Sequence, residues 1–298
     1  MSKTATMTLP PRRKRSTAPP KLRDWRAPRT AGEFFVLAVL VLMAAVTMVP
    51  FFVMITSALR TPAEAVPSNM WDWPTIPSGA GFTEAWGLLQ NNVLNSFLVV
   101  VPASLLTSFV GAFNGFVFSK LKFRGSNLIF TLILIGMFIP YQAVLIPLVR
   151  FLSATGLYGT IPGLILTHFA YGIPIATLIF RNYYASLPKE LIEAAQIDGA
   201  TNIQVFTRVA LPLSVPGFIV SILFQFTSQW NNFLFGLIVV PDPKMQVATV
   251  ALNNMSGSLT VEWNVVMAGA ALIAIPTLVL YLTLSRYFVR GLLAGSVK

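Results

Sequence analysis

The stretch E-L-I-E-A-A-Q-I-D-G-A, Glu190 to Ala200, sets three carboxylates and a glycine between long apolar runs, in a chain where only 10% of residues are charged. Upstream of it the chain reads I-P-G-L-I-L-T-H-F-A-Y-G-I-P-I-A-T-L-I-F from Ile161, and downstream L-P-L-S-V-P-G-F-I-V-S-I-L-F from Leu211. Hydrophobic residues make up 55% of the 298, and mean hydropathy is +0.71. No soluble domain of this length needs so much apolar side chain for its core, so the composition predicts a membrane protein.

Six apolar runs approach the roughly 20 helical residues that cross a bilayer. They extend approximately over Phe34–Leu59, Val93–Phe118, Leu128–Val149, Ile161–Phe180, Leu213–Val240 and Val265–Phe288. Their continuity fits helices and not the alternation of barrel strands. Pro140, Pro147, Gly172, Pro174 and Pro276 interrupt them and predict bends whose freed backbone groups neighbouring helices satisfy. The chain therefore divides into a basic tail over 1–33, expected to be disordered, and a six-helix membrane domain over 34–298.

Basic residues set the expected orientation. Nine Lys and Arg precede the first run, ending at Arg29, and with six crossings the same side holds Lys120, Lys122, Arg124, Arg181, Lys189 and Arg208. Only Arg60, Arg150 and Lys244, of the 21 Lys and Arg, fall on the other side. The positive-inside rule then predicts both termini and the Glu190 loop in the cytosol. The tail reads as a surface anchor on anionic cytosolic lipid. It is too long for a signal-peptide n-region and has no nucleic-acid motif beside it. Cysteine is absent, which removes thiol chemistry and cysteine metal sites. The one histidine, His168, lies in the fourth run with no carboxylate in any run, so no metal site is expected and a hydrogen-bonded packing role is.

Around the opening stretch, Ser186 and Pro188 read as a helix start. Glu190 and Glu193 follow in the first turns, where carboxylates meet the positive end of the helix dipole. Leu191, Ala194 and Ala195 make a small apolar face, and Gly199 ends the helix in a left-handed cap. A second short helix is expected to about Arg208, ending at Leu211-Pro212. The whole is a rigid turn over about 182–212 between two crossings.

Glu193-Ala194-Ala195, then Gly199, then Val209-Ala210-Leu211-Pro212, resembles the signature loop of the permease subunits of bacterial ABC importers, with valine in place of isoleucine. Within that family the chain is similar to the carbohydrate branch, as in the second permease of maltose-type importers. The stretches carrying this are N-S-F-L from Asn95, F-R-G from Phe123, I-P-Y-Q-A-V-L-I-P-L from Ile139, D-G-A from Asp198, Q-W-N-N-F from Gln229 and the Y-F-V-R-G-L-L-A-G-S-V-K terminus. Gly236 replaces a proline common in the branch, while A-L-N-N from Ala251 and F-R-N-Y-Y from Phe180 look more like glucose-type permeases.

The resemblance implies an all-α, type I importer fold in the bacterial plasma membrane. It also implies a second permease as heterodimer partner, two ATPase subunits and an extracytoplasmic sugar-binding protein. In that reading Glu190, Glu193, Ala194, Ala195, Asp198, Gly199, Leu211 and Pro212 form a helix that docks on the ATPase. The chain has no G-x-x-x-x-G-K-[ST] loop, so it binds no cofactor itself and ATP and Mg belong to the partner ATPases. It is a transport subunit, not an enzyme.

Ser221, Gln225, Ser228, Gln229 and Asn232 recur at helical spacing in the fifth run, within a stripe of about 100°. Trp230 points to the opposite side. Amides in hydrocarbon need partners, so the stripe must face the bundle interior, either as interhelical glue or as the lining of a sugar path. Neutral amides and hydroxyls suit a neutral polyol. Gly111 and Gly115 form a G-x-x-x-G that predicts close helix packing. A permease for another small neutral solute remains an alternative. A secondary transporter would show intramembrane ionisable residues or repeats, and a membrane enzyme clustered acids, bases or metal ligands. Neither signal is evident.

Overall fold

The computed structural model of the chain describes residues 30–121, 123–257 and 261–296. The tail expected to be disordered lies outside them up to position 29. Among the described residues all regular structure is helical. In chain order the helices are α1 (Ala31–Ala58), α2 (Ala80–Lys120), α3 (Ser126–Ile135), α4 (Tyr141–Ala154), α5 (Ile161–Ser186), α6 (Lys189–Ile197) and α7 (Asn202–Val205). They continue as α8 (Leu211–Leu213), α9 (Val215–Trp230), α10 (Leu234–Val239), α11 (Ala248–Ser256) and α12 (Trp263–Ser296). The chain forms two compact units, one ending at Pro50 and the other beginning at Phe51, with α1 running through the division.

Among the described residues four helices, α1, α2, α5 and α12, are long and apolar enough to cross a membrane, and two bent helix pairs raise the count to six if each is one crossing. The third expected run is one such pair: α3 ends in a short 3-10 turn over Gly136–Phe138, and α4 leaves it at 99°. Pro140 has no N–H to continue the helix and drives the residue before it out of the helical region. Ile139 is accordingly extended, at φ −72 and ψ 118. Pro147, Pro174 and Pro276 remain inside helices.

The second run starts earlier than hydropathy suggests. α2 begins at Ala80 and its 41 residues span about 60 Å at 1.5 Å per residue. Its polar first part has a structural use. Asn92 Nδ2 donates to the carbonyls of Pro243 and Gln246, Asn95 Nδ2 to that of Lys244, and the Ala248 N–H donates to Ser96 Oγ at 2.8 Å.

The fifth run is also divided. Helix α9 stops at Trp230, and the Phe235 N–H that opens α10 donates to Asn232 Oδ1 at 3.0 Å. Asparagine favours this capping role over a helix interior, so the Asn231-Asn232 pair marks the break. The apolar bent pair that includes α9 runs instead from Asn202 to Trp230, with a 75° bend at Ser214.

Helices α2 and α5 lie in backbone contact. A methyl group on Gly111 would fall on Ala176 Cβ, and one on Gly115 would sit 2.5 Å from Phe180 Cβ and 2.6 Å from the Arg181 nitrogen. The G-x-x-x-G is thus a packing seam. At one end of α2 and α5, Phe116, Phe180 and Tyr184 gather a buried cluster; toward the other end, Val99, Leu164 and Val239 belong to a second.

Candidate functional site

The Glu190 loop is built by backbone conformation first. Leu187 and Pro188 are extended, so α5 ends before α6 begins. Ser186, expected in the helix start, belongs instead to the last turn of α5 and donates its hydroxyl to the Tyr183 carbonyl at 2.7 Å; Pro188 alone occupies the start. At the other end of α6 the Gly199 N–H donates to the Gln196 carbonyl and the Ala200 N–H to the Ala195 carbonyl, both at 3.0 Å. This pair of bonds is the Schellman closure, and Gly199 supplies its left-handed residue at φ 82. Two residues later α7 opens with a complete capping box. The Gln204 N–H donates to Thr201 Oγ1 and the Thr201 N–H to Gln204 Oε1.

The second short segment, expected to end at Leu211-Pro212, runs helically to Leu213 but not as one α-helix. A π turn over Phe206–Ala210 leads into α8, and the wide turn accommodates Pro212, which has no N–H to offer the preceding turn.

Side chains then clamp this turn to the bundle. Ile192, Val205, Phe206 and Ala210 are buried with Phe116, Phe180 and Tyr184, and the Phe116 and Phe206 rings lie 5.3 Å apart. The Tyr184 and Ser214 hydroxyls share a hydrogen bond of 2.6 Å, Tyr183 donates to the Leu213 carbonyl, and Lys120 Nζ donates to the Leu187 carbonyl at 3.0 Å. The inward line of α6 is Ile192 with Ala195, while Leu191 and Ala194 of the small apolar face are exposed. Glu190, Leu191, Glu193, Ala194 and Asp198 face outward. Leu211 is half-buried and Pro212 exposed. Ile197 is 85% exposed and Ile203 69% exposed, one on each side of the Gly199 corner. The sequence reading missed both, although Ile197 lies five residues, hence about 140°, around α6 from Ile192.

The polar line of α9 is split by its environment. Ser221 Oγ shares a 2.8 Å hydrogen bond with Ser108 Oγ of α2. Gln225 Nε2 donates to the Gly172 carbonyl of α5 at 2.8 Å, and Gln229 Nε2 donates to Gln225 Oε1 at 3.2 Å. A side chain at Gly172 would come within 2.6 Å of Gln225 Oε1 and of Thr107 Cγ2, so glycine there admits the amide. All three residues are buried, and Gln229 Oε1 is buried with no hydrogen-bond partner among the described residues. Asn232 caps α10. Ser228, by contrast, is exposed, on a face shared with Phe224 and Asn231. Trp230 does point elsewhere: its Nε1 donates to the Ile273 carbonyl of α12 at 3.0 Å and its ring stacks on Phe226.

His168 is buried, and its ring meets Phe235 edge-on at 5.7 Å, an aromatic contact where a hydrogen bond was expected. Tyr141 and Tyr171 meet the same ring at 5.6 and 4.9 Å. Three separate helices contribute these residues, so no local pattern announces the cluster.

The model of the family described as binding-protein-dependent transport system inner membrane component matches residues 105–293. A probable ABC transporter permease of Pyrococcus horikoshii is 49% identical over 185 residues, 62% of this chain and 67% of that protein. The xylose/arabinose import permease of Haloferax volcanii is 33% identical over 271 residues, 82% of this chain and 87% of that one. Among solved structures, the crystal structure of a bacterial ABC transporter involved in import of the acidic polysaccharide alginate contains a chain of like fold. It has a TM-score of 0.75 at 19% identity and covers 88% of this chain and 99% of its own.

Proposed function

The chain belongs to the family of inner membrane components of binding-protein-dependent transport systems, and from that premise we propose that it forms one transmembrane half of an ATP-driven sugar importer. The observation that carries the reading is the turn from Glu190 to Leu213. Its corner is fixed by the Schellman closure, its root is buried in the α2–α5 cluster, and its outer surface offers carboxylates together with Leu191, Ile197 and Ile203. A solvated loop needs none of these. A joint that receives force from another subunit needs all of them, because only a turn rigid on its root transmits a push.

In this reading α6, with Glu190, Glu193, Ala194, Ala195, Asp198 and Gly199, docks on an ATPase subunit, and Leu211-Pro212 returns the chain to the bundle. The α3–α4 pair is one crossing and α9 another, which with the four long helices makes six, and the basic residues place both termini and the docking turn in the cytosol. Two ATPases hold the ATP and Mg, a second permease completes the path, and an extracytoplasmic binding protein delivers the solute. Sugar as the cargo rests on the xylose/arabinose relative and on the neutral amides and hydroxyls of α9. Within α9, Ser221 and Gln225 act as glue between helices, and the exposed face with Ser228 contributes to the path.

The test is reconstitution. The purified chain hydrolyses no ATP, and co-expression with its second permease and ATPase subunits yields a complex that, supplied with the binding protein, hydrolyses ATP and takes up xylose, arabinose or glucose in proteoliposomes. Hydrolysis by the chain alone, or uptake that persists without the ATPases, would sink the reading.

A further inference from the structure

We propose that Tyr141 and Tyr171, braced on Phe235, form an aromatic platform over which the carried sugar ring passes; the inference rests on the sugar-importer reading above. The line Tyr141, Leu145, Leu148, Leu152 runs along one face of α4 at i, i+4, i+7 and i+11, which is one side of a helix. Leu152 is fully buried, and Leu145 and Leu148 pack on the same core. Tyr141 continues this inward line yet is 39% exposed. On α5 the line Leu164, His168, Tyr171 behaves alike: the first two are buried and Tyr171 is half-buried. Each of the two inward-facing lines therefore carries a tyrosine that the core leaves partly exposed, while Ile146, on another side of α4, is 71% exposed.

Two helix breaks converge at the same place. Tyr141 is the first residue of α4, directly after the Pro140 break, and Phe235 is the second residue of α10, directly after the break at Asn231–Phe233. Backbone that leaves a helix at membrane depth is tolerated where it is buried in protein or lines a cavity, and discontinuous helices commonly flank transported solutes. Tyr171 lies ten residues into α5, about 15 Å along it at 1.5 Å per residue, which is half of a hydrocarbon core of about 30 Å.

The chemistry selects a sugar over an ion. An aromatic face carries the negative part of the ring quadrupole and attracts the weakly positive C–H face of a pyranose, while a tyrosine hydroxyl serves the ring's hydroxyls. Phe235 tilts against both tyrosines, at 60° to Tyr141 and 55° to Tyr171, and so braces both rings.

Uptake of labelled xylose, arabinose and glucose by the full complex, with saturating binding protein and normalised to assembled complex, tests this. Tyr141→Leu and Tyr171→Leu are expected to lower uptake at least fivefold. Tyr141→Phe and Tyr171→Phe, which keep the ring, stay within twofold of wild type, and Ile146→Ala is unchanged. Leucine variants that transport at the wild-type rate, or phenylalanine variants that fall as far as leucine, overturn the platform. If Tyr171→Leu does not assemble, the more exposed Tyr141→Leu decides alone, and wild-type uptake there overturns the proposal. A wild-type complex that carries none of the three sugars defeats the importer reading and this inference with it. Wild-type uptake with indifferent leucine variants defeats only the inference.

Discussion

The turn from Glu190 to Leu213 and the polar line of α9 are adjoining regions of one chain, rooted in the same α2–α5 seam, yet they are ordered by different forces. In the turn, backbone geometry comes first: a left-handed glycine, a Schellman closure and a capping box set the path, and apolar side chains clamp it from one side. In α9 the backbone is an ordinary helix, and the specificity lies in side-chain hydrogen bonds across to α2 and α5. A backbone-defined turn keeps its shape while its outer surface stays free for a partner. A side-chain-defined contact spends its polar groups internally, and of the α9 line only Ser228 is left on an exposed face.

The largest effect is expected where the two regions share their foundation. Gly115→Leu forces a side chain into the space of Phe180 Cβ and the Arg181 backbone, neither of which is the flexible tip of a side chain. Overpacking of this kind costs about 1–3 kcal/mol, and more where backbone must move. Monodisperse protein in detergent and its thermal midpoint should both fall sharply. A Gly115→Leu protein of normal yield and stability would show that turn and line do not depend on a common seam.

Next comes the corner itself. Gly199→Val places a β-branched residue at φ 82, a strain of about 1–2 kcal/mol, with open space around it. The membrane helices are untouched, so expression stays normal while ATPase association and uptake fall by about tenfold, the equivalent of 1.4 kcal/mol. Gly199→Asn, which tolerates the left-handed region better, recovers part of the loss. Normal coupling in the valine variant would reduce the turn to an ordinary loop.

The smallest effect separates members of the α9 line. Gln225→Ala leaves the Gly172 carbonyl and Gln229 Nε2 without their partner, worth about 0.6–2 kcal/mol for an interhelical bond in a membrane. Its thermal midpoint drops, whereas Ser228→Ala leaves the midpoint unchanged and alters uptake per assembled complex. Equal behaviour of the two variants would erase the division between glue and path.

How far these regions were legible differs residue by residue. Gly199 was legible because a left-handed cap after a helix calls for a residue without Cβ, a demand that a single position states. Gly111 and Gly115 were legible through their spacing. The break at Pro140 was visible as an interruption but not as a 99° turn, because a proline bends or ends a helix according to what neighbouring helices offer the freed groups. The break after Trp230 carried a signal in Asn231-Asn232 that the surrounding apolar run concealed. Ser186 looked like a cap by its type, yet Leu187 and Pro188 place the boundary after it.

The sequence by itself determined that the chain is a set of apolar helices with a charged turn between two of them, since hydropathy, proline, glycine and capping residues act locally and need no partner to exert their preference. Tertiary structure decided which side chains those helices consume. Spacing put five polar residues of α9 on one stripe, but only the approach of Ser108 and of Gly172 committed Ser221 and Gln225 and left Ser228 outside. Likewise only the meeting of α4, α5 and α10 brought Tyr141, Tyr171, His168 and Phe235 around one point. The physical reason is range: a dihedral preference is settled within a few residues, whereas a hydrogen bond or a ring contact exists only once distant segments have come within a few ångströms of each other.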